Sequence, residues 1–163
     1  MPSFDVVSKI DLQKIDNAIN TAKKELFSRY DLKDEECEID LDKKSKIIKV
    51  QAKQDMAISS IADIILSKFS KQGLDVRSLD ISGEIKSSGK LVYQEIKIKE
   101  GIEKELGKKI MNHIKGLNIK VQPAIHDDQL RISGKKIDDL QALIANLRQQ
   151  DFEIPLQFEN FRD

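Results

Sequence analysis

The chain has no tryptophan, two tyrosines, one cysteine and three prolines in 163 residues, and its 28 basic side chains balance 28 acidic ones. Each scarcity removes a class of answer. One cysteine cannot close an internal disulfide or form the Cys pair of a structural zinc site. Zero net charge removes the uniform positive field that draws many nucleic-acid-binding domains to their ligand. With so few aromatics, little is available for stacking bases. No apolar run approaches the ~20 residues of a membrane-spanning helix. The opening Met-Pro-Ser-Phe-Asp lacks the basic and apolar regions of a signal peptide. The chain reads as soluble and cytoplasmic, with no membrane, metal or cofactor requirement.

What is present is periodicity, and it spells one order twice: strand, helix, strand, strand, helix, strand. In the first copy, Phe4, Val6 and Ser8 alternate with Asp5, Val7 and Lys9. Asp11 suits the N-cap of a helix whose apolar stripe is Leu12, Ile15, Ile19, Ala22 and Leu26. Cys37, Ile39 and Leu41 point one way and Glu38, Asp40 and Asp42 the other, and 47–52 returns as the hairpin partner. Asp55 is placed to cap a second helix bearing Ile58, Ile61, Ile65 and Phe69, with Gly73 just past its end. A short strand is expected near 79–81, and the polar stretch 82–90 reads as a loop.

The pattern restarts at Leu91, where Val92, Gln94, Ile96 and Ile98 alternate with Tyr93, Glu95, Lys97 and Lys99. A helix follows through Ile102, Leu106, Ile110 and Ile114. Residues 119–125 and 129–133 make a second hairpin around His126, Asp127 and Asp128. Ile137, Leu140, Ile144 and Leu147 mark the fourth helix, and 156–161 closes the sheet. Repeated βαββαβ order is that of the ferredoxin-like unit. Helices with one apolar stripe and strands with one apolar side demand two layers, helices on one face of each sheet. Two units of about eighty residues would each have a modest core.

Charge is balanced overall but unevenly spread. Residues 31–42 carry seven acids against Lys33 alone, whereas 97–136 carry ten bases against five acids. A field of that kind could steer an anion, although a chain with 34% charged residues also produces such excursions by chance.

Catalytic and metal motifs fail on spacing. Gly83 and Gly89-Lys90 invite comparison with a phosphate-binding loop, but five residues separate the glycines and Leu91 follows the lysine. That loop is GxxxxGK followed by Ser or Thr, which reaches the metal. His113 and His126 have no Cys pair or HxxxH spacing. Asp127 and Asp128 beside His126 suit a turn. Cys37, on an apolar strand face, reads as a core residue rather than a nucleophile. The chain is not expected to be an enzyme.

At this point four blocks carry a resemblance: MPSFDVVSKIDLQ, YQEIKIKEGIEKELGKKI, IKVQPAIHDDQLRISGKKIDDLQALI and LQFENFRD. In this order they resemble the YajQ family of bacterial nucleotide-binding proteins over essentially the full length. For the fold, the resemblance implies an α+β protein of two tandem ferredoxin-like units, similar to RNA-recognition modules, that exchange first strands. Each would be a four-stranded antiparallel sheet with two helices on one face. The domain of residues 10–99 would be completed by strand 91–99. The domain of residues 1–9 and 100–163 would be completed by strand 4–9. For function, it implies binding of nucleotides and nucleic acid, with cyclic di-GMP a ligand of some members, in a regulatory rather than catalytic role. Two departures from the family pattern stand out. Leu32 and Asp34 occupy places where Phe and Gly are usual, and Ile137 follows Gly134-Lys135-Lys136 where Arg is usual.

Physical reasoning then names candidate contacts. Free N–H groups at a helix start favour anions. Lys135 and Lys136 just before the fourth helix oppose its dipole, which points to a bound phosphate or to plain solvated charge. The sheet sides away from the core should carry Tyr93, Lys97 and Lys99 in one unit and Lys120, Gln122 and Arg131 in the other. Those faces could contact phosphates and base edges, or simply face solvent. Tyr93 and Tyr30, the latter after Arg29 at a helix end, are the candidate stacking groups. The expected ligand is a purine nucleotide or cyclic dinucleotide. The alternatives are an RNA-associated protein contacting mainly phosphates, or an adaptor whose acidic segment 31–42 meets a protein partner such as a transcription regulator.

Overall fold

The computed structural model describes all residues, Met1–Asp163. In chain order its elements are β1 (Ser3–Val7), α1 (Leu12–Ser28), β2 (Glu38–Asp42), β3 (Ile47–Ala52), α2 (Asp55–Lys71), β4 (Leu79–Asp80) and β5 (Lys86–Ser88). Then come β6 (Leu91–Ile98), α3 (Lys104–Gly116), β7 (Gln122–His126), β8 (Gln129–Ser133), α4 (Ile137–Gln149) and β9 (Gln157–Arg162). The result is a mixed α+β protein with two antiparallel sheets and four helices. The chain divides into two compact units, one of residues Ile10–Lys99, the other of Met1–Lys9 with Glu100–Asp163.

In unit 10–99, α1 starts where Asp11 accepts the amides of Gln13 and Lys14, a cap worth about 1 kcal/mol. Its buried stripe is Ile15, Ala18, Ile19 and Ala22. The start of α2 differs from expectation: Gln54 precedes the helix and Asp55 is its first residue, set in the first turn where a carboxylate favours the helix dipole. Both helices pack on the same side of the sheet, against Ile39, Ile48, Val50, Ile96 and Ile98. Lys68 of α2, buried, meets Glu25 of α1 at 2.8 Å.

Strand order in this unit is β2-β3-β6-β4, with β5 also paired to β6, so the sheet has five strands rather than four. The polar stretch 82–90 is therefore not wholly loop. At eight residues β6 outruns the two-residue β4, which pairs only with Ile98 and Lys97. Residues Lys86–Ser88 take the places opposite Tyr93, Val92 and Leu91. The turn between β5 and β6 is made at Gly89, whose φ of +63° suits glycine. Gln94 fixes the preceding segment by donating to the carbonyls of Ile81 and Gly83.

The second unit has order β7-β8-β1-β9. Here β1 lies between strands more than a hundred positions away in sequence, pairing Phe4 with Ile132 and Val6 with Phe158. Phe4 and Val6 are fully buried in a core with Ile110, Ile114, Leu130, Ile132 and Leu143. The β1–β9 register shifts between Ser3 and Asp5, and Asn160 has φ of 58°. Beyond that irregularity Phe161 stacks on Phe4, ring centroids 5.8 Å apart. No helix is long and apolar enough to cross a membrane.

Candidate functional site

β8 ends at Ser133, and three residues later α4 begins. Gly134 sits between them in close quarters. A Cβ there would lie 3.2 Å from the Lys120 carbonyl oxygen and 3.3 Å from Leu140 Cδ2, so a side chain would push the segment ahead of β7 and the helix start apart by a few tenths of an ångström. The Gly134 amide donates to the Pro2 carbonyl at 3.1 Å, which fixes this corner to β1's entry. Lys136 is the residue before α4, in an extended conformation, and no side chain caps the helix. Its carbonyl accepts the amides of Asp139 and Leu140. That leaves the Ile137 and Asp138 amides for an external acceptor, at the end where the helix carries a partial charge of roughly +0.5 and where the same turn bears the Asp138 and Asp139 carboxylates.

Around this helix start lies a cleft of about 360 Å³ lined by Lys120, Gln122, Gly134, Lys135, Lys136 and Asp139. Lys120 precedes β7 and Gln122 is its first residue, while the others come from the turn into α4 and its first turn. Three ammonium groups, a side-chain amide and uncapped backbone N–H groups face Asp139 as the one acidic lining residue. Such a set can bind a phosphate or carboxylate and hydrogen-bond a further polar group. Four of the ten candidate residues meet here. Ile137, half exposed, is the first residue of α4.

Arg131 does something else. In β8 it lies opposite Asp5, which is 3% exposed. Its Nε donates to Asp5 Oδ1 at 3.0 Å and a terminal nitrogen to Oδ2 at 3.4 Å. Asn160 Nδ2 donates to the same carboxylate at 2.7 Å and Gln129 Nε2 at 3.4 Å. Burial pushes the Asp5 carboxyl up, but the Arg131 and Asn160 hydrogen bonds and the charges of Arg131 and Arg162 outweigh it and hold it below its usual value. The Arg131 guanidinium, bonded to Asp5, is correspondingly raised. Its charge neutralises a buried carboxylate.

Tyr93 and Lys97 lie on β6, on the side opposite the buried Ile96 and Ile98. Lys49 Nζ sits 4.6 Å from the Tyr93 ring centroid, and Gln51 is Tyr93's cross-strand neighbour. Lys97 faces Ile47 on one side and Asp80 on the other. Hydrogen bonds from Ser82 hold the Asp80 carboxyl low, with help from the charges of Lys99 and Lys97. Lys99 follows β6, its amide bonded to the Ser78 carbonyl at 2.7 Å. Arg29 grips Asp31 with two hydrogen bonds of 2.8 Å, raising its own pKa and lowering that of Asp31. Tyr30 beside it is 88% exposed.

Sequence reasoning passed over Phe27, which is 94% exposed in the last turn of α1. Its signal was available, because Phe27 falls off the stripe that ends at Leu26. Asp5 was also overlooked, although a carboxylate alternating with Phe4 and Val6 marks the side of β1 away from the core. Leu32 is buried in the core of unit 10–99 and has a packing role. Burial and the nearby Glu35 and Asp31 charges push the Cys37 thiol up, opposite to what a nucleophile needs. No three His, Cys, Asp or Glu side chains gather to hold a metal ion.

Residues 2–162 match the family model described as nucleotide-binding protein YajQ-like. The chain is 51% identical to a nucleotide-binding protein of Cytophaga hutchinsonii over 162 residues, covering 99% of this chain and 100% of that one. A nucleotide-binding protein of Geotalea daltonii is 46% identical, covering 99% of both chains. One from Chloroherpeton thalassium is 44% identical over 160 residues, covering 98% of this chain and 97% of its own. The chain belongs to the YajQ-like family of nucleotide-binding proteins.

Proposed function

We propose that this protein is a non-catalytic, cytoplasmic nucleotide sensor that holds a phosphate of a purine nucleotide or cyclic di-GMP at the start of α4. One observation carries the reading: Lys120, Gln122, Lys135 and Lys136, from two separate chain segments, line one cleft with an uncapped helix start. The volume, about 360 Å³, is at the small end for ligand sites and suits one nucleotide unit better than a fully enclosed dinucleotide. Cyclic di-GMP would then bind with one phosphate seated and its second half outside the cleft. Regulation would act through any conformational difference that the bound nucleotide favours.

We also read each unit as ferredoxin-like, in domains of residues 10–99 and of 1–9 with 100–163. Strand orders β2-β3-β6-β4 and β7-β8-β1-β9 support this, since each sets one strand, β6 or β1, between the inner hairpin strand and the last strand of its unit, the interior place of a first strand in the ferredoxin-like order. By that reading β1 and β6 are the exchanged first strands.

A second reading, RNA association, draws support from the Lys49–Tyr93 pair with Gln51 and Lys97 on the open side of β3 and β6. Such a face could stack one base and contact phosphates.

Calorimetric titration with cyclic di-GMP, GTP, ATP and a short single-stranded RNA, at low and physiological salt, separates the two. The sensor reading expects saturable, guanine-selective binding that falls about 10-fold or more in Lys135→Ala or Lys136→Ala, the loss expected of a charge-assisted hydrogen bond. RNA binding that is unselective, falls steeply with salt and is lost in Tyr93→Ala would replace it with the second.

A further inference from the structure

We propose that the open edge of β2 takes a basic, extended segment of a partner protein as an added strand. β2 ends its sheet, paired with β3 on one side only, so its other side presents a row of unpaired backbone groups. Exposed edges of this kind are commonly blunted by lysine, proline or a bulge. β2, Glu38-Ile-Asp-Leu-Asp42, has no lysine and no proline, and its register with β3 is unbroken from Glu38 to Asp42. Its solvent-facing side chains are Glu38, Asp40 and Asp42, all exposed.

Charge selects the occupant. A second copy of the same edge would set three carboxylates against three carboxylates, which opposes self-pairing. Glu38 and Asp40 project into solvent, whereas of the acids just upstream Asp31 is held by Arg29 and Glu36 lies 3.9 Å from Lys53. Lys49, across from Asp40 on β3, is turned over the Tyr93 ring. A strand with lysine or arginine at alternate positions would place its charges beside Glu38 and Asp40.

The other half of the alternation also has a place. A cleft of about 580 Å³ wraps this edge, with Leu26, Phe27 and Leu32 on the helix side together with Ile39. Its lining also includes Lys23, Lys33 and Lys49, so the acidic preference is confined to the strand edge itself. Phe27 is 94% exposed there, an aromatic with no burial of its own to explain it. In an added strand, side chains alternate between faces. Every second residue would point toward Leu26 and Phe27 and favour an apolar side chain. Main-chain pairing would supply affinity, and the two sets of side chains specificity. The site lies wholly in unit 10–99 and does not depend on the nucleotide reading, whose lysines lie in the other unit.

The probe is a nine-residue peptide alternating lysine and valine, set against a peptide of equal charge with proline at its centre and one alternating glutamate and valine. Calorimetry on the full chain measures affinity, and amide hydrogen exchange locates binding. We expect the lysine–valine peptide to bind, to slow exchange within 38–42, and to weaken at least about 10-fold in the double reversal Glu38→Lys/Asp40→Lys, with a similar loss in Phe27→Ser. All three positions are exposed, and an unchanged Tm confirms that the variants fold. Equal binding of the proline peptide would show charge attraction without strand addition and overturn the proposal. So would protection elsewhere on the chain, or no binding at all.

Discussion

Asp5 and Arg131 show how a residue's role depends on a partner far away in sequence. By alternation Arg131 belongs to an open, basic sheet face. In the fold its guanidinium is bonded to a carboxylate that is otherwise buried. Removing the arginine strands that carboxylate, and leaving a buried charge without its partner is costly. Arg131→Ala is therefore expected to lower Tm more than Lys97→Ala while leaving the nucleotide affinity of the still-folded protein unchanged. Thermal melts and calorimetry on both variants check this. The pair also sets an acid dependence. Because Asp5 ionises below its unfolded value of about 3.9, the stability it lends is complete above that value and lost as pH falls through its folded pKa. The Tm advantage of the native chain over Asp5→Asn should accordingly hold steady near neutral pH and shrink as the pH falls below about 5.

At the scale of elements, α4 begins without a side-chain cap, as α2 and α3 also do, and it is the one of these starts that opens on the lysine-lined cleft. α1 begins with an Asp11 cap, whereas Lys136 supplies α4 with none. A serine at that position would cap the helix and remove a positive charge. Lys136→Ser should raise stability by about 1 kcal/mol in denaturant unfolding and weaken nucleotide binding. A variant that is both less stable and fully binding would contradict the site. The elements also show what a sequence reveals and what it withholds. All four helices and the two hairpins were legible, because apolar stripes at helical spacing and period-two alternation are local signals. β5 was not. Lys86–Ser88 is polar and short, and it is a strand only because β6 leaves an unmatched edge beside it. The N-cap of α2 missed by one residue for a related reason: Asp55 suits both the cap and the first turn, and local sequence does not separate them.

For the molecule as a whole, the decisive fact is that β1 belongs with residues 100–163 and β6 with residues 10–99. Periodicity gave the order of elements. Only the resemblance to a family implied an exchange, because strand partnership over more than a hundred residues leaves no local trace. The candidate site was partly legible in the same way. Gly134-Lys135-Lys136 before a helix is a local anion signal, but its meeting with Lys120 and Gln122 depends on close packing across Gly134. The dispersal of Arg131, Tyr93 and Arg29 to other surroundings is equally a consequence of topology. Deleting residues 1–9 would remove an interior strand bearing the fully buried Phe4 and Val6. That deletion is expected to abolish nucleotide binding while unit 10–99 keeps its helices and its core. Circular dichroism and calorimetry on the shortened chain report both outcomes.

The most direct test of the central claim is amide NMR of the full chain during titration with cyclic di-GMP and GTP. Saturable shifts concentrated at Gly134–Asp138 and at Lys120–Gln122, the two segments that build the cleft, are expected. Saturable shifts confined to the Tyr93 and Lys97 side of β6, with the start of α4 unmoved, would contradict it.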